Sequence, residues 1–101
     1  MTQPETFEDA LDTILAEMRA VMIERQLKYG PTNIQDCGKP GIAVRLSDKA
    51  ARLRHAWLNG RGVDAPDESV EDTLIDAANY AVIGLLLRRG WWGLPMEGED
   101  E

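Results

Sequence analysis

Residues 68–90 read ESVEDTLIDAANYAVIGLLLRRG. The second half is apolar enough for a protein core and ends in two arginines and a glycine. Arginines suit the negative end of a helix dipole, and Gly90 is a natural first residue past a helix. The first half places Glu68, Glu71, Asp72 and Asp76 close together, with Asn79 and Tyr80 behind them. Stepped at 100° per residue, Glu68, Asp72, Asp76 and Asn79 share a sector of ~80°. Val70, Leu74, Ala77 and Ala81 form another face. The stretch therefore predicts one helix, running to Arg89, that carries a line of carboxylates. Asp64 or Asp67 can cap its start, with Pro66 tolerated in the first turn. Acids one turn apart repel slightly, so a cation is expected beside them. That cation is a metal such as Mg²⁺, which prefers carboxylate oxygens, or a set of basic side chains.

Basic side chains are at hand in residues 42–58, which predict a second helix. Leu46, Ala50, Leu53 and Trp57 define its buried side, and Arg45, Asp48, Lys49, Arg52 and His55 its far side. The stripe Arg45–Lys49–Arg52 is placed to face Asp72 and Asp76. A further helix is predicted over residues 5–29, where Phe7, Leu11, Ile14, Met18, Val21 and Met22 fall on one face. Thr2 or Thr6 can cap it, and Gly30-Pro31 stops it. Residues 30–41, GPTNIQDCGKPG, read as a loop because they hold three glycines and two prolines. NGRGVDAPD reads as a second loop. No strand alternation and no internal repeat is present. The expected fold is all-α, with three main helices in a bundle completed by oligomerisation. Residues 1–95 form a single helical domain, and the acidic tail 96–101 reads as disordered.

The totals narrow the function classes. At 101 residues the chain is one domain's worth, and small helical chains often add burial by self-association, so a homo-oligomer is expected. No run of apolar residues is long enough to span a bilayer, and the acidic N-terminus lacks a signal-peptide pattern. A single cysteine, Cys37, forms no internal disulfide. Together these predict a cytoplasmic protein. Cys37 has no histidine in its neighbourhood and reads as a loop residue rather than a nucleophile. The net charge is −7, of which Glu97, Glu99, Asp100 and Glu101 supply −4. Residues 42–61 balance to +4 and residues 64–76 to −6. Duplex nucleic acid is disfavoured as a partner, while the local cationic strip suits a phosphate chain.

The candidate site is assembled from these stripes. Lys28, Arg45, Lys49 and Arg52 are candidate phosphate contacts. Tyr29, Asn33, Asn79 and Tyr80 are candidate nucleoside contacts, through ring stacking and amide hydrogen bonds. Singly, each has an ordinary explanation: a lysine at a helix end, an aromatic in a core, an asparagine in a turn. The stripes themselves are also explained by two antiparallel helices stapled by ion pairs. Against that stands the weak stability gain of buried ion pairs over apolar residues of similar size. His55, the one histidine, reads as a surface residue. Trp57, Trp91 and Trp92 read as packing or oligomer contacts.

Three motifs, YGPTN, GIAVRLSDKAARL and DESVEDTLIDAANYAVIGL, resemble a family found largely in phages and their bacterial hosts, the type-one nucleotide-modification-associated domain. The likeness covers roughly residues 24–90, and D-K-x-x-R-L followed by E-S-x-E-D-T-L-x-D-x-x-N-Y is its specific part. It implies a link to nucleotide metabolism, and the host cytoplasm as location for a phage-encoded copy. The layout is more distantly similar to the all-α nucleoside triphosphate pyrophosphohydrolases of the MazG and dCTPase type. Those assemble as dimers or tetramers and hold Mg²⁺ with E-E-x-x-E on one helix and E-x-x-D on the next. Asn33, Asp76 and Tyr80 resemble residues of that pattern. Asp48 is kept from the first motif, but Lys49 and Arg52 occupy its other acid positions, and Thr73 replaces the glutamate before Asp76. The resemblance implies at most one Mg²⁺, held by Asp48, Asp72 and Asp76 with Glu68.

Two readings follow. In the first, Asp48, Asp72 and Asp76 are catalytic, polarising a water that attacks a (deoxy)nucleoside triphosphate. In the second, the chain is a non-catalytic nucleotide-binding or protein-interaction module, and its stripes are structural salt bridges.

Overall fold

The computed structural model describes residues 3–59 and 67–98, and side chains from Val70 onward in the second span. It is all-α: helices α1 (Phe7–Tyr29), α2 (Thr32–Leu53) and α3 (Asp67–Arg88), with no strand among the described residues. None of these helices is long and apolar enough to cross a membrane. The chain divides into two compact units, Met1–Gly30 and Pro31–Glu101.

The first unit holds α1. Thr6 caps it, its hydroxyl accepting the Asp9 amide at 3.0 Å; this meets an orphan N–H of the first turn. Glu8 and Asp9 lie in that turn and Lys28 in the last, each at the end the dipole favours. Gly30 ends the helix at φ 69°, donating its N–H to the Gln26 carbonyl at 2.9 Å. A left-handed φ there is cheap only for glycine. No residue of α1 is fully buried.

The second unit holds α2 and α3. The loop expected over residues 30–41 is instead largely helix. Thr32 onward is helical, and the break is confined to Gly38, at φ 62° and ψ −156°. Gly38 ends the first helical segment, and Pro40 falls in the first turn of the next, where a missing N–H costs nothing. A Cβ at Gly41 would overlap the Cys37 Cβ across this break. The glycines and proline that suggest a loop thus build a kink between two helical segments.

Beyond Leu53 the helix widens into a π turn, Arg54–Leu58, closed by the Asn59 amide on the Arg54 carbonyl at 3.0 Å. The wider turn rotates the following side chains off the α-helical face. That corrects the expectation for Trp57. It is 61% exposed, and Ala56 is buried in its place. The loop before α3, with Asp64 and Pro66, lies outside the described residues. At its far end α3 closes with a paired cap: Trp91 N–H to the Leu86 carbonyl at 2.8 Å and Gly90 N–H to the Leu87 carbonyl at 3.1 Å, Gly90 having φ 73°. This is the arrangement expected of a C′ glycine. The chain then turns so that the Trp92 indole donates to the Pro31 carbonyl at 3.0 Å. Trp92 is therefore an internal tie to the start of α2, and Gly93 (φ 97°) sits where a Cβ would come within 2.8 Å of Gln35 Nε2. Of the acidic tail, residues 99–101 lie outside the description.

Ile34, Ile42, Ala56 and Ile83 are the buried apolar residues, joined by the polar Thr73 and Asn79. Gly84 faces Ile42, and a Cβ there would make an ordinary van der Waals contact with Ile42 Cγ2 at 3.6 Å. No buried side-chain nitrogen or oxygen among the described residues lacks a hydrogen-bond partner.

Candidate functional site

The facing residues of α2 and α3 pair in antiparallel register. Ile42 and Ile83 are both buried, and with Ile42 beside Gly84 the register makes them the first layer. Arg45 and Tyr80 make the second, with the guanidinium carbon 5.6 Å from the ring centroid, within the range of a cation–π contact. Lys49 and Asp76 make the third, Nζ to Oδ2 at 3.3 Å. In each pair the two residue numbers have the same sum, as two straight antiparallel helices require. The same register sets Asp72 opposite Leu53, at the end of the seam where exposure rises.

This arrangement revises which faces are inside. Lys49, expected on the far side of α2, is nearly shielded: its side chain keeps 13% exposure and that of Asp76 keeps 17%. On α3 the buried side runs through Thr73, Asp76, Asn79, Tyr80 and Ile83, whereas Leu74, Ala81 and Leu85 are exposed. Of the sector of acids and amide, Asp76 and Asn79 are thus on the inner side, while Asp72 is exposed. Thr73, Asp76 and Asn79 each make a further interaction within the structure. Of the opposed stripes expected from the sequence, Lys49 and Asp76 meet, whereas Arg45 lies over the Tyr80 ring, Arg52 pairs within α2 and Asp72 is exposed.

The remaining candidates divide in two. At the open end of the seam Arg52 pairs with Asp48, its neighbour one turn back, at 3.7 Å, both more than half exposed at 62% and 58%. Asp72 and Glu71 are exposed on α3. An exposed pair of this kind is worth little to stability. Asn33 is exposed in the first turn of α2 rather than in a loop. Lys28 and Tyr29 belong to the other unit, at the end of α1, where the ammonium lies 5.4 Å from its neighbour's ring. His55 and Cys37 are exposed. Glu68 lies among the residues whose side chains are not described. Sequence reasoning missed Thr73 as an inner residue; its place three residues before Asp76 on the same face is the signal that could have found it.

Chemically, the seam is a ladder of cations one turn apart, of which Arg45 is laid on an aromatic face and Lys49 on a carboxylate. Among the described residues no group of three or more His, Cys, Asp or Glu side chains is arranged to hold a metal ion. Asp76 and Asp48 each have a protein cation as neighbour, so a Mg²⁺ ion held by them with Asp72 would have to displace Lys49 and Arg52. In comparisons with protein-family models, with curated proteins and with solved structures, no match to the chain is found.

Proposed function

We propose that the protein handles nucleotides, binding the phosphates of a nucleoside phosphate at the α2–α3 seam. Arg52 is the entry cation, with Lys49 one layer in. Asn79 and Tyr80 lie deeper, beside Arg45. The observation that carries this reading is the Lys49–Asp76 pair, held nearly out of solvent between two helices. A pair in that position gains little stability over apolar residues of the same size, which favours a purpose other than packing. The motif resemblance to the type-one nucleotide-modification-associated domain supports it. The protein works in the cytoplasm and self-associates.

Hydrolysis to monophosphate and pyrophosphate with Mg²⁺ is the finer version. It draws on Asp48 and Asp72, both exposed at the open end of the seam, and requires Asp48 and Asp76 to leave Arg52 and Lys49. A second reading, a helical interaction module without nucleotide, is favoured by the closeness of the Lys49–Asp76 pair itself.

The test is a thermal-shift screen of nucleoside mono-, di- and triphosphates, with and without Mg²⁺, read alongside product analysis. A nucleotide at about 100 times its Kd stabilises by ~2.7 kcal/mol. A shift without product supports binding alone, and product with Mg²⁺ supports the hydrolase. A flat screen under all conditions overturns the nucleotide reading and leaves the interaction module.

A further inference from the structure

Helix α1 carries an apolar stripe with no buried member. Phe7, Leu11 and Ile14 are 77%, 45% and 51% exposed. With Met18 and Val21 these residues follow alternating steps of four and three, the 3.5-residue repeat that keeps one seam facing a second helix. Leu15 and Met22 widen the stripe. The next position in the repeat is Arg25, which ends it.

Charge says what covers this stripe. Residues 7–18 hold Glu8, Asp9, Asp12 and Glu17 and no base, a balance of −4. Residues 19–29 hold Arg19, Arg25 and Lys28 against Glu24, a balance of +2. Two copies of α1 laid side by side in parallel set acid on acid and base on base. Laid antiparallel, each acidic half meets a basic half. A register centred near Ala16 then opposes Leu11 to Val21 and Ile14 to Met18 of the second copy.

We propose that α1 is a self-association element, and that its apolar stripe is covered by α1 of a second copy running antiparallel. This rests on the self-association proposed above and specifies its geometry.

The experiment uses the full chain, its mass measured by light scattering across a range of concentrations. A dimer is expected. Ile14→Asp, on the exposed stripe, is expected to weaken it by about tenfold or more. Orientation is read from charge reversal. Glu8→Lys, Asp9→Lys and Asp12→Lys together make both halves basic and are expected to weaken the dimer. Adding Arg19→Glu, Arg25→Glu and Lys28→Glu restores opposite signs, and is expected to restore dimerisation. Circular dichroism monitors helix content, because lysines at a helix N-terminus oppose its dipole. Ile14→Asp keeps the wild-type termini, so it tests the stripe even where the reversed chains lose helix. A monomer at all concentrations overturns both the self-association and its geometry. A dimer indifferent to Ile14→Asp, or one that six reversals do not restore with helix intact, overturns the antiparallel α1 pairing and leaves self-association standing.

Discussion

Lys49 Nζ lies 3.3 Å from Asp76 Oδ2, across the seam between α2 and α3 and largely out of solvent. Each charge has lost much of its hydration, and their attraction offsets that loss. Taking away one partner leaves the other stranded. We expect Lys49→Ala or Asp76→Ala to destabilise by about 2 kcal/mol, below the ~3–5 of a fully buried pair because some solvent still screens this one. Lys49→Met with Asp76→Leu, which removes both charges at similar volume, is expected to leave stability within about 1 kcal/mol of the parent or raise it. Urea midpoints of the four chains check this. If the pair serves ligand binding, the double variant folds as well as the parent but loses its nucleotide-induced thermal shift. A double variant that keeps the full shift makes the pair structural.

Arg45 one layer away faces a ring instead of a carboxylate. Tyr80→Leu removes the ring face and is expected to cost about 0.5–2 kcal/mol through the lost cation–π contact and packing. Tyr80→Phe keeps the ring and is expected to cost less, within about 0.5 kcal/mol if the hydroxyl serves only solvent. A Phe variant as unstable as the Leu variant shows that the hydroxyl, not the ring, holds this layer. Thermal melts of the two variants separate the cases.

How much of this was legible beforehand differs from element to element. Helices α1 and α3 were, because their ends are chemically marked: Thr6 and Gly30 bracket one, and Gly90 closes the other. The approach of Lys49 to Asp76 was legible too, since residues spaced one turn apart share a helix face, but the pairing of Arg52 back onto Asp48 was not. The depth of Lys49 was not. Its angular position lies within ~40° of both Ile42 and Leu53, but a lysine is ordinarily placed outside unless its counterion is known to reach it. The kink at Gly38 was misread because Gly and Pro punctuate loops and helix joints alike. What separates them is whether each glycine meets a neighbour, as Gly41 meets Cys37. Trp57 was misread because a π turn shifts the register without a mark in composition.

Trp92 ties the residues after α3 to the start of α2 through one hydrogen bond, indole N–H to the Pro31 carbonyl at 3.0 Å. Trp92→Phe keeps an aromatic ring and deletes the donor. A net loss of about 0.5–1.5 kcal/mol is expected. The Pro31 carbonyl retains the Gln35 amide at 3.0 Å, so it is not left bare, and the loss is expected toward the lower end. Amide hydrogen exchange gives the finer check: faster exchange confined to the first turn of α2 and the residues after α3 is expected, with the α2–α3 seam unchanged. Faster exchange through the seam itself would mean that the tie supports the whole unit.

The joint in α2 makes the last prediction, because Gly38 and Gly41 are glycine for different reasons. Gly38 has φ 62° and ψ −156°, a region occupied essentially by glycine alone, where an L side chain costs roughly 1–3 kcal/mol. No atom nearer than 3.8 Å would crowd a Cβ there, so Gly38→Ala is expected to lose about that backbone cost and no more. Gly38→Asn is expected to lose as much, since asparagine's tolerance of positive φ is confined to the left-handed helical well at ψ of about +47°, far from the ψ −156° found here. Gly41 has an ordinary φ but no room, its Cβ position being taken by the Cys37 side chain. Gly41→Ala is therefore an overpacking change, expected to cost about 1–3 kcal/mol. Cys37→Gly removes the obstructing atoms, so combining it with Gly41→Ala is expected to recover part of the loss, whereas adding Cys37→Gly to Gly38→Ala recovers none. Equilibrium denaturation of the parent, Cys37→Gly, Gly38→Ala, Gly41→Ala and the two double variants reads both cycles. If Cys37→Gly rescues neither glycine variant, the joint opens without the Cys37 contact and its shape is set by Gly38 alone.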